Sequence, residues 1–358
     1  MTSPTEGPGD IGAEWLRTAG PDSDVVMSSR VRLARNLAGF PFLPKASRED
    51  RRQILDIARR NVLDAALAKQ VMWVDLADSP TLERQVLVER HLISRQHAKG
   101  DEPRAVAVSS PDERLAIMVN EEDHMRIQVM RSGLALSEAF DHIDSVDDSI
   151  ESRLEYAFSP RFGFLTACPT NVGTGIRVSV MLHLPGLKLA GEIDKVRRAA
   201  KGMSLAVRGF YGEGSDAVGD IYQISNQTTL GRTERQVLDD FERQIIPKVI
   251  EYERHARRTL IQMRRTLVED RTHRALGALR SARLLAADEA LQLLSLVRLG
   301  LMLNLFSSDG PELADVSRLM LLTQPAHLQK AIGRTLDQAQ RRIARADLVR
   351  AEIDRGRR

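Results

Sequence analysis

The sequence predicts a chain of two parts, a mixed α/β domain over residues 25–232 followed by an all-helical one over residues 233–358. Three observations carry this reading. Short β-branched or alternating runs in the first part are interleaved with amphipathic helical stretches. Glycine clusters at 163–175, 209–219 and 231 separate them as loops. From Thr233 onward nothing reads as a strand, and Thr233-Glu234-Arg235-Gln236 has the form of a helix capping box.

Taken in order, residues 1–24 are polar and rich in Gly, Pro and Asp, which predicts a mobile tail with Trp15 and Leu16 as its one anchor. Arg48–Lys69 and Ser137–Leu154 are amphipathic at helical spacing. Ala105–Val108, Leu115–Asn120, His124–Met130 and Ile176–His183 read as strands. In the second part Leu238, Phe241, Ile245 and Val249 recur at helical spacing, with Pro247 set to interrupt that helix. Further helices follow, broken near Ser307–Pro311 and at Pro325. Leu291–Phe306 is the most apolar stretch, yet Arg298 and Asn304 break it and it is too short to span a bilayer, so it reads as a core helix.

Composition excludes several classes. Hydrophobic residues are 42% and charged residues 28%, ordinary for a globular protein. A net charge of +3 with 4% aromatics gives neither the basic footprint nor the stacking platforms that nucleic acid needs. The single cysteine, Cys168, rules out an intrachain disulfide or a multi-cysteine zinc site and suits a reducing compartment. The N-terminal residues show no secretory pattern, so a cytoplasmic location without membrane attachment is expected.

Four segments carry chemistry. In Ser28-Ser29-Arg30-Val31-Arg32, an extended chain puts Arg30 and Arg32 on one face. Two permanently charged forks side by side suit an oligophosphate, although a solvated basic strand has the same spacing. Asn120-Glu121-Glu122-Asp123-His124 reads as the tip of a β-hairpin; a straight strand would instead align Glu122, His124 and Arg126. Thr166–Gly175 is a small-residue loop feeding a strand, able to approach a ligand closely, but it lacks the Gly-Lys-Ser/Thr of a phosphate-binding P-loop. Arg208–Ser215 places Glu213 in a glycine-flanked loop where a closing lid could present a carboxylate. His91 by spacing alone is a helix-surface histidine.

Together and in this order, Ser-Ser-Arg-Val-Arg, Asn-Glu-Glu-Asp-His, Cys-Pro-Thr-Asn-Val-Gly-Thr-Gly and Arg-Gly-Phe-Tyr-Gly-Glu-Gly-Ser resemble the ATP:guanido phosphotransferases, the superfamily of creatine and arginine kinases. The wording of the last two, with Ile-Tyr-Gln-Ile-Ser-Asn-Gln, is similar to the bacterial protein-arginine kinases within it. The first arginine motif begins at Ser28, leaving no room for the helical domain that precedes it in kinases of small guanidine compounds. The resemblance implies an α+β catalytic domain, an antiparallel-rich sheet flanked by helices, followed by an all-helical C-terminal domain. It implies phosphate-binding roles for Arg30, Arg32, Arg126, Arg177 and Arg208. Nucleotide contact is implied for the segments Ser28–Arg32 (Ser28, Ser29, Arg30, Val31, Arg32), Arg177–Met181 (Arg177, Val178, Ser179, Val180, Met181) and Arg208–Glu213 (Arg208, Gly209, Phe210, Tyr211, Gly212, Glu213), with His91 an additional contact. Glu122 and Glu213 match the carboxylates that grip the guanidinium substrate, and Cys168 matches the thiol beside it.

The implied reaction is transfer of the γ-phosphate of ATP to a guanidinium nitrogen of arginine residues in proteins, with magnesium held by nucleotide and water and no metal ligand from the protein. The implied partners are protein substrates with exposed arginine, a zinc-containing activator protein and a Clp chaperone-protease, with control of a stress-response repressor; a homodimer is compatible with this. A kinase of a small free guanidine and a non-catalytic binding protein with a basic helical tail are the alternatives. One departure stands out. Where relatives carry Arg-Asp-x-x-Arg-Ala for phosphoarginine, this chain has Arg341-Arg342-Ile343-Ala344-Arg345-Ala346. Arg341 and Arg345 share a helix face and are expected to hold an anion, while Arg342 replaces the acid that would pair with the guanidinium half.

Overall fold

The computed structural model describes residues 13–209, 217–227, 229–306 and 310–355. Among these residues ten strands are formed: β1 (Val26–Arg35), β2 (Val71–Asp75), β3 (Ala105–Ser109), β4 (Leu115–Val119), β5 (Met125–Ser132), β6 (Phe158–Ser159), β7 (Gly163–Phe164), β8 (Ile176–His183), β9 (Leu205–Arg208) and β10 (Ile221–Asn226). Eight of them make one sheet in the order β2-β3-β4-β5-β1-β8-β10-β9, every neighbouring pair antiparallel, and β6 pairs with β7 as a small ribbon. The fold class is therefore the antiparallel α+β arrangement that the motifs imply.

Side chains alternate across a strand, so each strand sorts its residues between two faces. One face is the core. Val31 and Leu33 of β1, Ile127 and Val129 of β5, Ile117 of β4 and Val178 and Val180 of β8 are all buried there. The helices α1 (Arg48–Asp64) and α3 (Leu136–Glu151) cover it through Ile54, Ala58, Val62, Ala139, Phe140 and Ile143. The short helices α4 (Pro185–Leu189) and α5 (Ile193–Gly202) extend that layer through Leu187, Ile193 and Val196.

The opposite face is apolar at its ends and cationic at its centre. Val106, Val108, Met118, Met130 and Met181 pack on α2 (Thr81–Glu89) and on the C-terminal helices. Trp15 joins this second cluster at 1% exposure, and Arg254 bonds Asp24 at 2.9 Å, so residues 13–24 are held against the protein where their composition alone suggests mobility.

The C-terminal half is helical: α6 (Glu234–Asp239), α7 (Ile246–Ser281), α8 (Ala287–Met302), α9 (Leu313–Leu322), α10 (Pro325–Ile332) and α11 (Gln338–Glu352). Thr233 and Gln236 form the reciprocal cap expected of them. A π-helical turn over Asp240–Ile245 joins α6 to α7, whose first turn contains Pro247. Texture changes at residue 233, but Val237, Phe241, Ile246, Val249, Ile250 and Ala256 belong to the sheet's own core. The backbone of α7 breaks from helical geometry at Arg264 (φ −143°, ψ 36°), beyond this packing. The switch from strand to helix thus precedes the point where the chain leaves the sheet's core.

Candidate active site

Between the central strands and the segment after α2 lies a cavity of about 790 Å³, inside the roughly 300–1,000 Å³ range of small-molecule sites. Strand alternation builds its wall. Arg30 and Arg32 come from β1, Arg126 and Gln128 from β5, Arg177 from β8, Gln223 from β10 and Arg208 from β9. The register places Arg32 between Gln128 and Arg177, Arg30 beside Ser179, and Gln223 opposite Arg208. Five guanidinium groups from four strands therefore share one surface.

Two neutral partners aim Arg30 without cancelling its charge. Arg30 donates from Nε to Ser179 Oγ at 3.3 Å and from Nη2 to Gln223 Oε1 at 3.1 Å. Arg177 Nη2 donates to Ser225 Oγ at 3.3 Å. The buried Nε of Arg32 has no hydrogen-bond partner among the described residues. Burial first, and then Arg177, Arg126 and Arg208, lower the Arg30 guanidinium to about 10. Burial, then Arg30, Arg126 and Arg177, drives Arg32 down as well, with Glu121 only partly opposing them. Clustered cations under such tension make a receptor for phosphate oxygens.

The acids sit at one side. Asn120, at φ +61°, turns the chain from β4 into β5, and Glu121 N donates to Asp123 O at 3.2 Å, so the acidic run is a hairpin tip. Arg126 meets both glutamates, Nη1 to Glu121 Oε2 at 2.7 Å and Nη2 to Glu122 Oε2 at 2.6 Å. The Glu121 side chain is 5% exposed and accepts from Ser94 Oγ at 2.6 Å, while Glu122 is 45% exposed. Arg126, Ser94 and His97 hold Glu121 below the usual carboxylate range against its burial, the largest opposing influence. His124 instead turns inward and pins the loop after β1, accepting from Leu37 N at 3.0 Å and lying 3.0 Å from Pro41 O.

Cys168 lies on the loop after β7, its Sγ 3.0 Å from Thr170 Oγ1. Asn171 and Gly175 of that loop line the cavity. Gly175 is at φ +66°, and a side chain there would come within 2.7 Å of Ala34 O, so glycine is required for the loop to lie against β1. His91 lines the cavity in a left-handed conformation (φ +60°) just past the end of α2, its ring edge-on to Trp15 at 5.1 Å. Burial, then Arg30 and Arg95, depress the imidazole to about 3, so it is neutral at any working pH.

Not every residue of the implied nucleotide segments reaches this space. The side chains of Val31, Val178 and Val180 point into the core at 0% exposure, because alternation sends them to the other face. Ser29 Oγ is spent on Gly133 O (2.8 Å) and accepts from Ala135 N (3.0 Å). Ser28 is buried, Met181 joins the apolar cluster at the domain junction, and Gly209 is buried at the end of β9. Phe210, Tyr211, Gly212 and Glu213 lie outside the described residues. Arg345, expected to hold an anion with Arg341, is 2% exposed, with Nε donating to Thr323 O (2.6 Å) and Nη1 to Leu285 O (2.9 Å). Arg341 donates to Leu336 O at 2.8 Å. Through these bonds the pair secures turns between C-terminal helices.

Sequence reasoning passed over Glu121, Ser94 and Gln223. Gln223 and Ser225 alternate with Tyr222 and Ile224, a period-2 signal sufficient to mark β10 as a strand with one polar face. Nothing local marks Ser94.

A family model described as ATP:guanido phosphotransferase, C-terminal catalytic domain, matches residues 54–256, and one described as protein-arginine kinase McsB C-terminal domain matches residues 265–357. A protein-arginine kinase from Symbiobacterium thermophilum is 45% identical over 344 residues, covering 95% of this chain and 96% of its own. One from Halothermothrix orenii is 41% identical over 345 residues, covering 96% and 97%. Among solved structures, the duplicated taurocyamine kinase from Schistosoma mansoni with transition-state analogue components is similar with a TM-score of 0.59 at 26% identity, over 66% of this chain and 34% of that one. A lombricine kinase is similar in fold, with a TM-score of 0.55 at 24% identity over 71% of each chain.

Proposed function

This chain belongs to the protein-arginine kinases of the ATP:guanido phosphotransferase family, enzymes that use ATP to phosphorylate arginine residues of proteins, and we propose how its side chains divide that work. Arg30, Arg32, Arg126, Arg177 and Arg208 receive the phosphates, and His91 contacts the nucleotide as a neutral group. The observation that carries this reading is the five-guanidinium wall with a carboxylate pair at its side. Glu122 and Glu213, the latter outside the described residues, orient the substrate guanidinium, whose delocalised lone pairs make it a poor nucleophile.

As a carboxylate takes the proton, a terminal guanidinium nitrogen forms the bond to the γ-phosphorus. The bond from that phosphorus to the bridging oxygen breaks, and its electron pair leaves with ADP. The arginines offset charge spread over the transferring group. Cys168, held near the hairpin tip, polarises the bound guanidinium and forms no covalent intermediate. The donors lining the cavity are mostly cationic and suit phosphate oxygens. Magnesium would be held by those oxygens and water, supplying further charge neutralisation at the β- and γ-phosphates.

The wider role we propose is the one the branch suggests: a cytoplasmic enzyme marking proteins for Clp-type proteolysis and controlling a stress-response repressor, with a zinc-containing activator protein and with homodimer formation. No helix among the described residues is long and apolar enough to cross a membrane. The test is incubation of the protein with labelled ATP and either a denatured protein or free arginine. Acid-labile label on protein arginine is the expected result; acid-stable label on Ser, Thr or Tyr, or label on free arginine alone, would overturn it.

A further inference from the structure

The carboxylate assigned to the substrate already holds a guanidinium. Arg126 Nη2 lies 2.6 Å from Glu122 Oε2, and the same side chain reaches Glu121 Oε2 through Nη1 at 2.7 Å. Glu121 is the fixed end of this bridge, buried and bonded by Ser94 Oγ and by the amide of Glu122. Glu122 is the free end, 45% exposed at the hairpin tip. A planar fork reaches the two carboxylates through two separate nitrogens held at a fixed spacing.

Resting on the site assignment above, we infer that Arg126 occupies the substrate-guanidinium position on Glu122 until nucleotide binds, and so makes binding of the protein substrate conditional on ATP. An incoming arginine must displace Arg126 from Glu122. Without phosphates, the displaced guanidinium turns toward Arg30 and Arg32, whose charges are already poorly compensated by burial in this wall. With a triphosphate in the cavity, the same rotation gives Arg126 oxygen acceptors while Nη1 keeps Glu121. The exchange trades one charge-assisted bond for another instead of leaving a cation stranded. Coupling of this kind is reciprocal: whatever factor nucleotide gives to substrate binding, substrate returns to nucleotide binding. A substrate made of protein side chains gives this gate a purpose, because exposed arginines are present on most proteins the enzyme meets.

The experiment is calorimetric titration of the full-length enzyme with an arginine-containing peptide, alone and with a non-hydrolysable ATP analogue and magnesium. For the unmodified enzyme the peptide should bind about tenfold or more tightly with the analogue, inside the roughly 5–150-fold range usual for coupled sites. The deciding arm has no nucleotide. There, Arg126→Ala and Arg126→Gln should both bind peptide more tightly than the unmodified enzyme, since neither keeps a cation on Glu122, a change that mere loosening of the hairpin would not produce. Unchanged or weaker nucleotide-free binding in both variants would overturn the inference, as would equal peptide affinity with and without analogue in the unmodified enzyme. Peptide that fails to bind even with analogue would instead remove the assignment of Glu122, a result distinguishable from failure of the gate.

Discussion

Asp123 Oδ1 accepts the backbone amide of Ala167 at 2.7 Å, and this bond fastens the hairpin tip that carries Glu122 to the loop that carries Cys168. The same oxygen accepts from Asn36 Nδ2 at 2.7 Å, so one carboxylate fixes three segments that sequence separates by 131 residues or fewer. Asp123 is fully buried and is not among the residues lining the arginine-walled cavity. Its place is to hold two functional neighbours in register. Asp123→Ala should cost about 3 kcal/mol, as two hydrogen bonds to a charged group contribute roughly 1.5 kcal/mol or more each. It should also lower kcat well beyond what that loss of stability explains. Urea denaturation beside steady-state kinetics checks this; full kcat in a merely destabilised enzyme would make the bond structural only.

Replacing the substrate carboxylates should separate chemistry from nucleotide binding. Glu122→Gln and Glu213→Ala are each expected to lower phosphoryl transfer by about 100- to 10,000-fold, the usual worth of a positioned acid or base. ATP affinity should stay within a few-fold of normal for Glu213→Ala. Radiolabel transfer to a protein substrate, with fluorescence titration of nucleotide, reads both quantities.

The arginine wall predicts a trade between stability and function. Arg32 is held in a cluster of like charges with its Nε unsatisfied, and removing a buried, poorly compensated charge is often neutral or stabilising. Arg32→Met should therefore keep or raise the melting temperature of the ligand-free protein while abolishing the shift that ATP gives. In the unmodified enzyme, ligand at 100 times its Kd adds about 2.7 kcal/mol. A large loss of ligand-free stability would mean that the charge is already balanced. Arg30→Ala and Arg208→Ala should weaken ATP by roughly 2–5 kcal/mol, as expected when one partner of a desolvated pair is removed.

His91 should make the ligand-free protein acid-sensitive. Folded, the imidazole stays neutral down to about pH 3; unfolded, it takes up a proton below about 6.5. The unfolded state therefore binds more protons between those values, and stability falls as pH drops through that window. Glu113, pushed up to about 7 mainly by burial, works in the opposite direction from about pH 4.5 upward, but it is common to both proteins in a comparison. Chemical denaturation at pH 7 and pH 5 should show a smaller acid loss for His91→Gln than for the unmodified chain; equal losses would mean that the ring is solvated.

The sequence by itself determined the class of fold, the hairpin tip at Asn120–His124, the strand Ile176–His183 and the capped helix start at Thr233, because alternation, turn residues and capping are local. It also determined the family, because the four motifs are contiguous words. Only the tertiary structure decided which residues of those words face the cavity. Val31, Val178 and Val180 stand beside cavity-lining arginines in the chain but on the opposite side of the sheet. Arg345, which shares a helix face with Arg341, reaches carbonyl oxygens of Thr323 and Leu285 that lie far from it in the chain. Glu121, one of three adjacent acids, became the anchor of Arg126 only once β4, β5 and Ser94 met. Local spacing fixes which side chains can share a face; strand order and long-range packing fix what that face meets, and that is where charge acquires its partner.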